Sequence, residues 1–127
     1  MSIRIMALAA VLGAVGTGAM AQETGDAEAG EKVFRKCMAC HSLEEGQNRV
    51  GPSLHGVVGR DVASVEDFGY SDAILAWGEG KTWDAELLDA YIEDPRGLVD
   101  GTKMIFAGLD EEQDRNDVIA YLDATDE

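Results

Sequence analysis

Both cysteines of the chain fall within the five residues Cys37-Met38-Ala39-Cys40-His41. Two thiols this close, with an imidazole next in line, must converge on one another or on a shared partner, and the fold has to be built around that point. A multi-bridge disulfide framework is excluded. The 127 residues allow one domain. Apolar residues at 46% and charged residues at 28% argue against a disordered or fibrous chain. Ten basic residues against 25 acidic ones give a net charge of -15. That excludes a nucleic-acid binder, which needs clustered positive charge.

The first 21 residues read as a leader rather than as part of the domain. Arg4 supplies a basic start, Ile5 to Ala21 carries no charge, and Ala19-Met20-Ala21 places small residues where a signal peptidase cleaves. The apolar run is shorter than the roughly 20 residues that span a bilayer, so an uncleaved anchor is the weaker alternative. Cleavage after Ala21 leaves a domain at 22–127 that is not inserted in a membrane. Export would carry the cysteines into an oxidising compartment.

In 22–127, the spacing predicts four helices. The first covers 26–36, capped by Gly25 or Asp26, with Gly30 and Phe34 on one face. An interior glycine costs up to ~1 kcal/mol against alanine, and close approach by another helix would account for it. A short helix over 71–77 is capped by Ser71 and stopped by Gly78. A third, over 84–94, has the stripe Leu87, Leu88, Tyr91 and Ile92 and ends at Pro95. The last, about 110–123, buries Val118, Ile119, Tyr121 and Leu122. No stretch alternates cleanly enough for a strand. Residues 42–70 show almost no periodicity, and a loop that long in a small domain needs a reason. With only eight aromatic residues, the chain is suited to wrapping a large apolar group that is not protein.

C-x-x-C-H is the attachment sequence for c-type haem. The two thiols add to the two vinyl groups, and His41 then lies under the iron as its proximal ligand. A thioredoxin-type pair would need a strand before it. A structural zinc site needs four ligands, and adjacent Cys40 and His41 would strain to share one ion with Cys37 and His55. A plain Cys37–Cys40 disulfide is the third rival. Haem is favoured because the motif uses every cysteine of an exported chain.

High-potential haem carriers pair histidine with a methionine thioether. Of five methionines, Met1, Met6 and Met20 leave with the leader. Met38 lies too near His41 to reach the opposite face of the ring. Met104 remains, in the glycine-bounded loop 101–108. The alternatives are Met104 as core filler and His55 as the ligand.

Together these segments resemble class I cytochromes c. The resemblance rests on the C-x-x-C-H motif and, in order, Gly51-Pro52-Ser53-Leu54-His55-Gly56, Gly59-Arg60, Phe68-Gly69-Tyr70-Ser71-Asp72-Ala73, Thr82-Trp83, Tyr91-Ile92-Glu93-Asp94-Pro95, Gly101 to Gly108, and Ile119-Ala120-Tyr121-Leu122. It covers almost all of 25–124. It implies an all-α fold of three to five helices with long loops wrapped around one covalent haem c. Cys37 and Cys40 would carry the haem, with His41 and Met104 as axial ligands. Pro52 would present its carbonyl to His41. Arg60, Tyr70 and Trp83 would surround the propionates, and Tyr91 and Thr102 would lie near the Met104 sulfur. Leu54, Leu88 and Phe106 would pack on or near the ring, and Gly30 and Phe34 would cross the last helix near Tyr121.

The function so implied is that of a periplasmic, monomeric electron carrier, not an enzyme. It would be reduced by a membrane cytochrome bc complex and oxidised by a terminal oxidase, a photosynthetic reaction centre or a periplasmic reductase. The alternative is a haem peroxidase or small-molecule sensor with an open sixth iron position. One departure from the family stands out: only four lysines are present, Lys32, Lys36, Lys81 and Lys103. Residues 32–60 hold five basic and two acidic side chains, while 84–127 hold three basic and 14 acidic. A weak positive face beside the motif is therefore set against a strongly acidic remainder. Because loop 42–70 has little else to pack on, the double variant Cys37→Ser with Cys40→Ser is expected to be largely unfolded by circular dichroism. A compact form with a cooperative melt would contradict this.

Overall fold

A computed structural model describes residues 25–125. The proposed leader, 1–21, lies outside the described residues. Five helices are present among them: α1 Ala27–Phe34, α2 Asp72–Trp77, α3 Ala85–Glu93, α4 Pro95–Leu98 and α5 Glu112–Thr125. Four of the five begin at a side-chain cap. Asp26 accepts from the Glu28 N–H, Ser71 from Ile74, Asp84 from Leu87 and Asp94 from Gly97. Each satisfies a backbone donor that the first helical turn leaves without a partner.

The four predicted helices all form, with ends shifted by a few residues. The fifth, α4, was not expected. Pro95 does end α3, but it is also the first residue of α4, where its fixed φ suits a helix start and its missing N–H costs nothing. Asp94 leaves the helical region at φ -155° and serves as C-cap of α3 and N-cap of α4.

No strand occurs among the described residues. Loop 42–70 is tied down instead by one antiparallel bridge, Asp61 to Thr82. Beside it, Trp83 N–H donates to Arg60 O at 2.8 Å, Gly59 N–H to Trp83 O at 2.7 Å and Val62 N–H to Lys81 O at 3.0 Å.

The scaffold is the crossing of α1 on α5. A Cβ placed on Gly30 would collide with the Asp117 carbonyl and lie 2.8 Å from Tyr121 Cβ. The Phe34 ring sits 5.4 Å from that of Tyr121. Buried Asp117 accepts from the Asp26 N–H and from Gln113 Nε2, each at 2.8 Å, and so locks the N-terminus of α1 onto α5. Val118, Ile119 and Leu122 are buried as expected, while Tyr121 is half-buried. Loops supply much of the remaining core: Val57, Val62, Trp83, Val99 and Leu109 are buried with Phe34, Leu88 and Tyr91. No helix among the described residues is long and apolar enough to cross a membrane.

The two effects of Gly30→Ala oppose each other. Helix propensity favours alanine by up to ~1 kcal/mol, whereas forcing a methyl into a backbone contact costs typically about 1–3 kcal/mol. The collision is with backbone, which cannot swing aside, so the variant is expected to lower the thermal midpoint of the holoprotein. An unchanged or raised midpoint in a thermal melt would show that the helices can separate at little cost.

Candidate haem site

Chain leaving α1 does not extend but turns again. Cys37 N–H donates to Phe34 O at 2.8 Å, Cys40 N–H to Cys37 O at 3.1 Å and His41 N–H to Cys37 O at 2.9 Å. This tight turn brings Cys37, Cys40 and His41 to one wall of a cavity of about 270 Å³. The two cysteines are not joined to each other in a disulfide. Burial, reinforced by neighbouring Cys40 and opposed by Lys36, pushes the Cys37 thiol up to about 11.

His41 is fixed by two neighbours. Its Nδ1 lies 2.7 Å from the Pro52 carbonyl oxygen. A carbonyl can only accept, so Nδ1 carries the proton and Nε2 keeps its lone pair. Gly51 lies against the ring: a Cβ there would sit 2.7 Å from Nδ1 and 2.9 Å from Nε2. Burial lowers the His41 pKa; the Pro52 bond works against that and the Arg60 charge with it. The ring is therefore neutral at pH 7, the form that binds metal. Gly51 was quoted in the sequence motif without a role. Its signal was a glycine directly before the proline whose carbonyl orients the ring.

The loop after α4 supplies another wall. Met104 and Phe106 line the cavity, as do Tyr70, Tyr91 and Thr102. Tyr91 OH and Thr102 Oγ1 are 2.8 Å apart, and Thr102 Oγ1 accepts from the Met104 N–H at 3.4 Å. Burial raises the Tyr91 pKa against the opposing Thr102 bond, so its hydroxyl stays protonated. Tyr70 OH accepts from the Val65 N–H at 3.0 Å.

Other expected site residues lie off this surface. Arg60 does not line the cavity; its Nη1 donates to Ser53 O and His55 O, both at 2.8 Å. Trp83 is buried behind Tyr91, ring centroids 5.2 Å apart. Leu88 is buried in the core and half-buried Leu54 packs against it, neither on the cavity wall. His55 is exposed, 3.9 Å from Glu45, and does not line the cavity. Phe68, Ile74, Val50 and Ile105 line it without having been assigned a role there.

The donor set fits an iron porphyrin. Two thiols at the vinyl spacing, a neutral imidazole with Nε2 available and a thioether share one largely apolar cavity. A zinc site is not supported, because among the described residues no three His, Cys, Asp or Glu side chains are placed to hold a metal ion together. A thioredoxin arrangement fails because α1, not a strand, precedes the motif. The fold and this wall define an all-α protein of the c-type haem class.

The family model described as Cytochrome c matches residues 27–126. The chain is 48% identical over 98 residues to cytochrome c2 of Blastochloris viridis, covering 76% of each chain. It is 47% identical over 95 residues to cytochrome c-550 of Ancylobacter novellus, covering 73% of this chain and 89% of that one. Among solved structures, cytochrome cH from Methylobacterium extorquens is similar with a TM-score of 0.73 and 44% identity, over 79% of this chain and 99% of that one. The chain belongs to the cytochrome c family: it has the class I all-α fold and carries one covalently bound haem c, with Cys37 and Cys40 at the attachment spacing.

Gly51→Ala must displace the His41 ring. A weakened imidazole–iron bond lets protons compete sooner, so acid titration of the ferric holoprotein, followed by its visible spectrum, should lose the low-spin form at higher pH than in the wild type. Identical titrations would mean the ring does not need the glycine.

Proposed function

We propose that this monohaem electron carrier works in the periplasm after cleavage behind Ala21, with 22–127 as the mature domain. There it accepts electrons from a membrane cytochrome bc complex. It passes them to a terminal oxidase, a photosynthetic reaction centre or a periplasmic reductase. The observation that carries this reading is the pairing of a neutral imidazole and a thioether, His41 and Met104, on one apolar cavity. Haem iron supplies reversible one-electron exchange between ferric and ferrous states.

The protein's own side chains do the rest. His41 Nε2 and the Met104 thioether would together hold the iron, which would leave no position on it for substrate. Pro52 holds the imidazole in one tautomer and raises its basicity. Thr102 and Tyr91 fix the backbone beside Met104. Tyr70, on the cavity wall, would face the haem propionates, and Arg60 and Trp83 would act from behind that wall through the backbone bond that joins them. The apolar walls exclude water and favour the less charged reduced state.

Docking uses the rim of the cavity. Val50 is 79% and Ile105 87% exposed, yet both line it, flanked by Lys36 and Lys103. Lys32 and Arg35 extend the positive side. Such a small, mixed surface suits weak, transient and salt-dependent complexes. Lys81 contributes less, because its Nζ is held by the Trp77 carbonyl at 2.6 Å.

The ferric protein is expected to show the weak red absorption of an iron–thioether bond, and Met104→Ala to abolish it while haem stays attached. Absence of the band in the wild type, with no change on Met104→Ala, would favour a peroxidase or sensor with an open iron face. Oxidation by membranes at rising salt should slow in wild type and less so in Lys36→Gln with Lys103→Gln.

A further inference from the structure

Arg115 is nearly buried, with 8% of its side chain exposed, and its bonds run in three directions. Its Nε donates to Asp89 Oδ1 on α3 at 2.7 Å. Its Nη1 donates to the carbonyls of Leu109 and Asp110, at 2.8 and 2.9 Å. These carbonyls close the loop that leaves α4 and carries Met104. Two more contacts dock the same end. Leu109 N–H donates to Ile92 O at 2.9 Å. Gly108, at φ 114°, lies so close to the Glu93 carbonyl that a Cβ would collide with it. At its other end the loop is held by the Tyr91–Thr102 bond, also to α3. The Met104 loop is therefore a span pinned at both ends to one helix, and Arg115 of α5 braces the far pin with side-chain bonds.

We propose that Asp89 and Arg115 form a positioning latch that sets how firmly Met104 holds the iron. The inference rests on the Met104 ligation proposed above. A guanidinium bonds the carboxylate from Nε and the two carbonyls from Nη1, two nitrogens held apart in one rigid plane, a geometry that the single nitrogen of an ammonium does not reproduce. Arg115 is nearly buried and Asp89 is 34% exposed, so solvent screens the pair only in part, and removing Asp89 strands the guanidinium. With the latch broken, the loop end keeps the Leu109–Ile92 bond and the Gly108 contact but loses its brace to α5 and lifts more readily, while the attachment turn, α1 and the α1–α5 crossing stay in place. Other candidates carry less: the exposed rim at Val50 and Ile105 belongs to the docking face already described, and the acidic α5 surface has no second feature pointing to a ligand.

The test uses ferric holoprotein and added imidazole, which competes with the thioether for iron. Asp89→Asn and Arg115→Lys are expected to bind imidazole roughly tenfold more tightly than wild type, with the red thioether band lost in parallel. Val118→Ala, which cuts into the buried face of α5 away from the latch, serves as the control for general destabilisation. Its imidazole affinity should stay at the wild-type value even where its melting point falls as far. If the latch variants keep wild-type affinity, or if Val118→Ala matches them, the latch is overturned. If the wild type itself lacks the thioether band, Met104 ligation fails and the latch falls with it.

Discussion

The hydrogen bond from His41 Nδ1 to the Pro52 carbonyl, 2.7 Å long, decides which ring nitrogen keeps a free lone pair for a metal. Everything near the haem wall is arranged around that decision. The tight turn after α1 delivers the ring, the backbone of Gly51 leaves it room, and burial keeps it neutral. A proximal ligand that could rotate or take up a proton would make every interaction on the Met104 side irrelevant. The sequence order of cysteine, cysteine and histidine thus sets a covalent anchor and places the imidazole proposed as iron ligand directly after it, with one proline carbonyl converting proximity into orientation.

The same logic divides what could be read before the structure from what could not. Helix positions were legible because their caps are local: Asp26, Ser71 and Asp84 act on donors two or three residues away. The glycine inside α1 was open to simple tolerance or to close approach by another helix, and the family resemblance pointed to the last helix; Asp117 and Tyr121 are the neighbour found there. Helix α4 escaped because Pro95 carries two meanings, and the stop masked the start.

Side-chain bonds across long sequence separations left no trace. Arg115 and Asp89 are 26 positions apart and read separately as surface charges on amphipathic helices. Trp77 read as the end of a short helix, yet it packs with Trp83 and Tyr91 at 5.9 and 6.3 Å, with Lys81 over its outer face at 5.1 Å. Periodicity reports which face is apolar. It does not report which charge on the polar face turns inward, since that depends on where a distant carbonyl ends up. The strong acidity of 84–127 hides such a case, for Asp89 is one carboxylate among 14 acidic residues and only its partner distinguishes it.

Asp94 is exposed, and a survey by accessibility would class it with the tolerant surface. Its single carboxylate and its unusual backbone angles nevertheless end one helix and launch the next, and the adjoining turn leads into the loop that bears the thioether. A residue visible to solvent thus has two jobs, and a side chain without an acceptor here would leave the first turn of α4 without its cap.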